Sequence, residues 1–396
     1  MLPTQLLSYW ENSADEFCSM KNKKLLILTT SLSAKKTGGV SNYYGALDSK
    51  FPFQHDYCVV GDREDDGILS NVFIRLITDY LLFIKSLITN SYDLVVINPS
   101  LTLNGLIRDY LFFLIAKALG NKTVIFFRGW ERKYEEIVFR TKWRYLFLPV
   151  RKCDGFIVLA KSFREAMLPS VKSPVFIETT VLDEEILKGY DETNIQRAPS
   201  PSKKLRLLYL ARIEKYKGVF TAIEAFKKLK EQSIEVELLI AGNGAELDKV
   251  KASIKGVNDP NLRYIGLVDG EEKRQLLLNS DILLFPSTHS EGMPNTVLEA
   301  MGCGLAVITT KMGGVDDFFC GDTMGGELVD DFPTEIAQTV TRLINNPAEL
   351  SKISLSNYTF AKQYFYSSKV ATRLDEIFNA VLYKTDCKEF WIDKPL

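Results

Sequence analysis

Two glutamates and a cation pair carry the chemistry that this sequence could perform. Glu291 and Glu299 bracket the segment SEGMPNTVLEAMGCG at 290–304, where Pro294 suits a first helical turn and Gly302 and Gly304 suit its end. The spacing predicts a short helix near 294–302, whose free N–H groups would favour a phosphate. Carboxylates accept hydrogen bonds from neutral hydroxyls, so the pair suits a sugar on one side of that anion and a ribose on the other. A capping acid and a solvated helix glutamate fit the same spacing. In YLARIEKYKGVFTAIEAF, 209–226, a strand is expected to end near Ala211 and a helix to start at about Gly218. Lys217 would then sit at a helix N-terminus, where the dipole disfavours a cation unless something negative compensates it. With Arg212 five residues earlier, two cations could hold a diphosphate, the arginine bidentate and the lysine as a point charge. Two solvated surface charges fit these residues as well.

Other chemistries are thinly represented. Gly38 and Gly39 in KKTGGVSNYYGAL, 35–47, would let a backbone approach a ligand closely or simply make a tight turn. GNG at 242–244 lacks the third glycine and lysine of a phosphate loop and reads as a turn. No Walker motif, GxSxG or HExxH occurs, which argues against hydrolytic triads and metal hydrolases. Six scattered cysteines without CxxC, and two histidines, His55 and His289, make a zinc site or disulfide framework improbable and fit a reducing cytosol.

These residues need elements to position them. Branched runs recur with helical spacers at 25–30, 94–98, 123–127 and 155–160, then again at 205–211, 236–241, 262–266, 281–286 and 305–310. Beta-alpha-beta units in parallel sheets are the natural reading. The polar stretch 190–204, with two prolines and no apolar period, reads as a linker. Its 396 residues, 46% hydrophobic and 25% charged, suit two folded domains. Ligands of such sheets bind beyond the carboxyl ends of the strands, so the cleft between domains is the expected site. A formal net charge of -1 argues against a protein that wraps nucleic acid. Residues 1–22 lack the pattern of a signal peptide and look like a helical extension, and the apolar stretch 71–90 is broken by Arg75, Asp79 and Lys85.

Taken together, ARIEKYKG, FPSTHSEGMPNTVLEAMGCGLAVITT and KMGGV, in that order with strands between, resemble the retaining glycosyltransferases of the GT4 class, group 1. Seven residues separate the two glutamates, as that family requires. The resemblance implies a GT-B fold, α/β, with two Rossmann-like doubly wound parallel-sheet domains facing across a cleft. The expected boundaries are 1–195 for the acceptor-side domain, 196–204 for the linker and 205–375 for the donor domain. Residues 376–396 are expected to cross back to the first domain. The implied donor is a nucleotide sugar, UDP- or GDP-linked, with no cofactor and no metal. Carried over residue by residue, Arg212 and Lys217 would grip the diphosphate, Glu291 the transferred sugar and Glu299 the ribose. Backbone around Gly292, Met293, Pro294, Asn295, Thr296 and Val297 would complete the phosphate site, Leu267 and Val268 would meet the base, and Gly38 and Gly39 would lie beside the donor.

The N-terminal half matches more loosely, through TGGV at 37–40 and the strands TVIFF and FIVLA. Where the family usually places a histidine after TVIFF, this chain has Arg128, a permanent cation that cannot act as a base near neutral pH. It would hold the sugar or diphosphate, or it would simply pair with Glu131 or another acid. Residues 128–172 hold 11 Lys or Arg against five acids, interleaved with aromatics such as Trp130, Phe139 and Trp143. That segment resembles an anionic-membrane patch, and a solvated face with core aromatics fits it equally well. The expectation is a cytoplasmic enzyme, peripheral at the inner face of the membrane, glycosylating a glycan or lipid-linked acceptor in capsule or lipopolysaccharide assembly. The rival functions are a nucleotide-sugar epimerase on a similar fold and a non-catalytic partner subunit.

Overall fold

In the computed structural model, residues 23–30, 39–61, 72–140, 148–195, 204–288, 292–311, 313–317, 326–328 and 333–385 are described. The extension at 1–22, most of the expected linker and the tail after 385 lie outside them.

The first sheet is built from β1 (Lys24–Thr29), β2 (Gln54–Val59), β3 (Leu94–Ile97), β4 (Lys122–Phe126), β5 (Gly155–Val158) and β6 (Val175–Ile177) in the order β2-β1-β3-β4-β5-β6, all parallel. Strands β3 and β5 are buried along their whole length, as expected when helices cover both faces of a parallel sheet. The covering helices include α1 (Gly39–Leu47), α2 (Val72–Thr89), α3 (Leu103–Ala118) and α4 (Lys161–Met167). Tyr43, Phe83, Phe112, Phe126 and Phe156 fill the core between them.

A second sheet repeats the plan with β7 (Leu205–Leu210), β8 (Val236–Ala241), β9 (Leu262–Gly266), β10 (Ile282–Phe285), β11 (Ala306–Thr309) and β12 (Gly326–Leu328), ordered β9-β8-β7-β10-β11-β12. Its helices include α5 (Val219–Glu231), α6 (Leu247–Val257), α7 (Gly270–Leu278), α8 (Asn295–Gly302), α9 (Pro333–Asn345) and α10 (Pro347–Tyr364). In each sheet the strand order reverses beside the first strand, which opens a crevice at the carboxyl ends.

The return to the first domain is made by α11 (Ser367–Tyr383) as a whole, so it begins earlier than residue 376. Glu184 accepts from Ser368 N at 2.8 Å and caps this helix. Phe378 meets Phe53 edge-on, and Val381 packs where Gly155 has no side chain: a Cβ there would lie 2.6 Å from Val381 Cγ2. The central contact is an ion pair. Arg373 Nη2 donates to Glu178 Oε1 at 2.6 Å and Nε to Oε2 at 2.9 Å, with Glu178 fully buried just beyond β6. Thr179 N and Tyr364 O satisfy further hydrogen-bonding capacity of the pair. Such a pair adds little net stability over apolar residues, but losing one partner strands the other charge in the core. Arg373→Ala or Glu178→Ala should therefore cost about 3 to 5 kcal/mol in denaturant unfolding, and Glu178→Leu with Arg373→Met together should recover most of it. Single variants as stable as wild type would show that the pair is not buried in solution.

Candidate donor site at the carboxyl ends of the second sheet

The loop after β7 carries both expected cations. Arg212 is largely exposed and pairs with Glu214 at 3.1 Å. The 3-10 turn Lys215–Lys217 ends at Gly218, which adopts φ +78° and has Pro286 O where a Cβ would stand. Only glycine tolerates both conditions, so this turn is fixed against the loop leaving β10. Thr288 N donates to Tyr216 O at 2.8 Å, and the Ser287 hydroxyl reaches the same carbonyl. The cation loop and the loop leading to α8 are thereby one unit. Tyr209, buried on β7, supports it by donating from its hydroxyl to Lys217 O at 3.2 Å.

Lys217 is only 6% exposed. Burial, and then the neighbouring Arg212 guanidinium, pull its ammonium down to about 8, while Glu214 acts in the opposite direction. An anion placed here would relieve both causes. The acid that follows this positive corner, Glu291, lies outside the described residues, as do Gly38 and His289.

Helix α8 starts one residue later than the sequence suggests, with Pro294 at the cap and not in the first turn. No side chain caps it. Val297 N is taken by Pro294 O at 3.1 Å and its side chain is in the core, whereas the N–H groups of Asn295 and Thr296 have no partner among the described residues. The free donors thus precede Val297. Gly292 and Met293 are buried against the first domain: a Cβ on Gly292 would lie 2.6 Å from Leu159 Cδ1, and Thr180 Oγ1 donates to Met293 O at 3.3 Å. Gly314, from the KMGGV segment, donates its N–H to Gly292 O at 2.6 Å.

Glu299, 15% exposed on α8, receives Lys273 Nζ at 2.7 Å on Oε1, with Oε2 equally close to the ammonium but making no hydrogen bond of its own. A neighbouring hydroxyl could use that oxygen. Glu299 and Asn295 line a cleft of about 460 Å³ whose other walls are α7, with Lys273 and Arg274, and Ser41, Asn42 and Gly45 of α1. The cleft therefore spans both domains. Arg212, Lys217 and Arg128 are not among its lining residues. Gly39 begins α1 and a Cβ on it would meet nothing within 4 Å, so packing within the described residues does not require a glycine there. Leu267 is 72% exposed just after β9, and Val268 is partly buried against the core.

Arg128 does not pair with Glu131, which binds Lys133 at 2.7 Å. Its guanidinium lies 3.7 Å from the Tyr43 ring centre and 4.3 Å from that of Phe126, and its backbone N–H donates to Pro99 O at 2.9 Å. Nη1 is buried with no hydrogen-bond partner. Stacking of this kind suits arginine and not lysine. Lys273, Thr180 and the Lys161 N to Asp317 contact at 2.6 Å between domains were not anticipated. EEKR at 271–274 carries no mark that separates it from an ordinary solvated helix face. Among the described residues, no group of three or more His, Cys, Asp or Glu could hold a metal ion.

Residues 191–359 match the family model of the glycosyl transferases group 1. That stretch, less than half of the chain, is similar to the family. An uncharacterized glycosyltransferase of Methanocaldococcus jannaschii is 26% identical over 268 residues, 62% of this chain and 65% of the relative. The capsular polysaccharide biosynthesis glycosyltransferase CapM of Staphylococcus aureus is 28% identical over 185 residues, 46% of this chain and 47% of its own. The matches thus span less than two thirds of these curated relatives. Among solved structures, Anabaena HepE in complex with UDP-glucose superposes with a TM-score of 0.69 over 90% of this chain and 99% of that one, at 14% identity. That likeness concerns the fold, which is GT-B.

The displaced lysine gives a test of this candidate site in the ligand-free protein. A lysine whose folded pKa lies below its unfolded value of 10.5 destabilises the fold while charged, and that cost is lifted as pH rises above about 8. Relative to Lys217→Met, wild type should gain about 2 kcal/mol of unfolding free energy between pH 7.5 and about 9.5. A difference that stays flat across this range would show that Lys217 is solvated.

Proposed function

We propose that the chain transfers a sugar, with retention, from a UDP- or GDP-sugar to a glycan or lipid-linked acceptor in cell-surface polysaccharide synthesis. The observation that carries this reading is the buried Lys217 beside Arg212, on a loop tied to the one that leads into the uncapped helix α8. HepE was solved with UDP-glucose and CapM serves capsular polysaccharide, which supports the donor class and the pathway class.

In this scheme the diphosphate lies on the N–H groups of Asn295 and Thr296, with Arg212 and Lys217 neutralising it. Glu299, oriented by Lys273, accepts from a ribose hydroxyl, and Glu291 accepts from hydroxyls of the transferred sugar. Leu267 and Val268 would lie beside the base. The bond from the anomeric carbon to the leaving phosphate oxygen breaks while the acceptor oxygen attacks from the same face. The acceptor's proton passes to that phosphate oxygen, so no protein base is needed. Arg128 supplies hydrogen bonds from Nη1 to the sugar or diphosphate and takes no proton. The cations and the helix N-terminus balance the charge on the leaving group, which makes the reading metal-independent. A cytoplasmic location at the inner face of the membrane would bring such an acceptor within reach.

Removing one well-aimed donor from developing charge costs about 3 to 4 kcal/mol, so Arg212→Ala or Lys217→Ala should cut turnover roughly 100-fold or more. Donor hydrolysis and transfer across a panel of nucleotide sugars measure this. Near-normal turnover in both variants would sink the donor site, and a pure chain that binds nucleotide without turning any sugar over would favour a partner subunit. For Glu291→Ala, calorimetry with UDP and with the UDP-sugar should show diphosphate binding retained and the sugar-dependent increment gone.

A further inference from the structure

A helix that is apolar on all sides is normally buried on all sides. Helix α2 is not. Phe73 is 70% exposed, Leu81 60% and Ile88 69%, and Ile74, Ile77 and Leu82 are exposed with them. Single exposed apolar residues are ordinary, but six on one eighteen-residue helix form a continuous face. The opposite side of the helix holds it to the domain through Phe83, which meets Phe112 of α3 edge-on at 5.1 Å, and through Tyr80, whose hydroxyl donates to Arg108 O. Helix α3 extends the face with Ile107 and Leu111, both exposed.

The polar groups show what kind of surface should cover it. The single carboxylate of α2, Asp79, is buried and accepts from Gly61 N at 2.8 Å. The hydroxyls of Thr78 and Thr89 are turned back onto the carbonyls of Ile74 and Lys85 at 2.9 Å. A protein partner would want groups to hydrogen-bond with, whereas hydrocarbon tolerates only polar groups satisfied internally. Lys85 is an exposed cation on the same helix. Past α3, Leu106 and Tyr110 share a small apolar cavity with Val138 and Arg151, and Lys152 beside it is exposed. No described helix is long and apolar enough to cross a membrane.

Among the described aromatics of 128–172, Trp130 and Phe139 do not form that surface. Trp130 is stacked on Phe163 at 4.5 Å and buried, Phe139 is buried, and Lys133 is engaged by Glu131. Residues 141–147 lie outside the described residues.

We propose that the outer face of α2 and α3 is a membrane-docking surface, with α2 lying in the plane of an anionic lipid surface. Phe73, Ile77, Leu81 and Ile88 enter the boundary between headgroups and acyl chains while Lys85 and Lys152 meet lipid phosphates. This rests on the transferase reading only for its purpose, which is to bring a lipid-linked acceptor to the first domain.

Flotation of the full chain tests it, using vesicles of phosphatidylcholine alone and of phosphatidylcholine with about one quarter phosphatidylglycerol. Wild type should float with the anionic vesicles and much less with neutral ones. Phe73→Ser, Ile77→Ser and Leu81→Ser combined should lower the bound fraction about tenfold or more, the scale set by three apolar side chains at an interface. The UDP-induced thermal shift should stay unchanged in that variant. Equal flotation of variant and wild type, or no flotation of wild type, overturns the proposal. So does a wild-type dimer that the triple variant converts to monomer, because the face would then join two proteins. Donor hydrolysis measured without vesicles on the same preparations separates the two readings: flotation without hydrolysis leaves the docking face standing and removes the transferase.

Discussion

The buried pair between Glu178 and Arg373 is the constraint on which the rest of the arrangement depends. Glu178 follows the last strand of the first sheet, and Arg373 belongs to a helix that the chain reaches only after completing the second domain. Neither charge can be buried alone, so closing this contact fixes where α11 lies. The chain is also fastened just before it, where Leu182 N donates to Phe365 O and Ser367 N to Leu182 O. The crossing strap and the segment 178–184 are thus held together a few residues from Thr180, which touches Met293 O. Packing of the strap and placement of the loop that leads into α8 are mechanically one problem.

Within the second domain a different constraint operates. Gly218 packs directly on Pro286, and Gly244 lies against Ile213, so two neighbouring loops are threaded at backbone contact. That tightness buries Lys217 and keeps it near Arg212, a combination that is unfavourable in isolation. The fold accepts the cost at one point in the crevice, where an anion would reverse its sign. Local cost of this kind, concentrated at the strand ends, marks a candidate binding site.

How much of this could be read in the sequence depends on burial. Strands such as Leu94–Ile97 and Ile282–Phe285 agree with the apolar runs because a strand covered on both faces must be apolar throughout. Gln54–Val59 is hidden in the sequence because it is an edge strand whose exposed and half-buried positions carry Gln, His and Asp. Val175–Ile177 and Gly326–Leu328 are edge strands too short to show a period. The cation loop was legible since glycine and lysine there have a shared backbone reason. Lys273 was not, because its partner Glu299 comes from another helix and only the tertiary fold brings them within 2.7 Å. Trp130 and Phe139 fit a membrane patch and a core equally well by sequence, and packing places them in the core.

In the proposed transfer, Arg128 would redirect the mechanism by a change of residue type without moving the site. It follows β4, at the carboxyl end where ligands of such sheets lie, and its flat guanidinium rests on two aromatic faces. An imidazole in this place could shuttle a proton, whereas a guanidinium keeps its charge throughout and offers donors in a fixed plane. One of those donors, Nη1, is buried and unsatisfied, a cost that an arriving acceptor atom would remove. The residue is therefore arranged for holding and not for proton transfer. In the proposed transfer the proton would then have to go elsewhere, and the leaving phosphate would suit, because its charge rises as the bond to the sugar breaks.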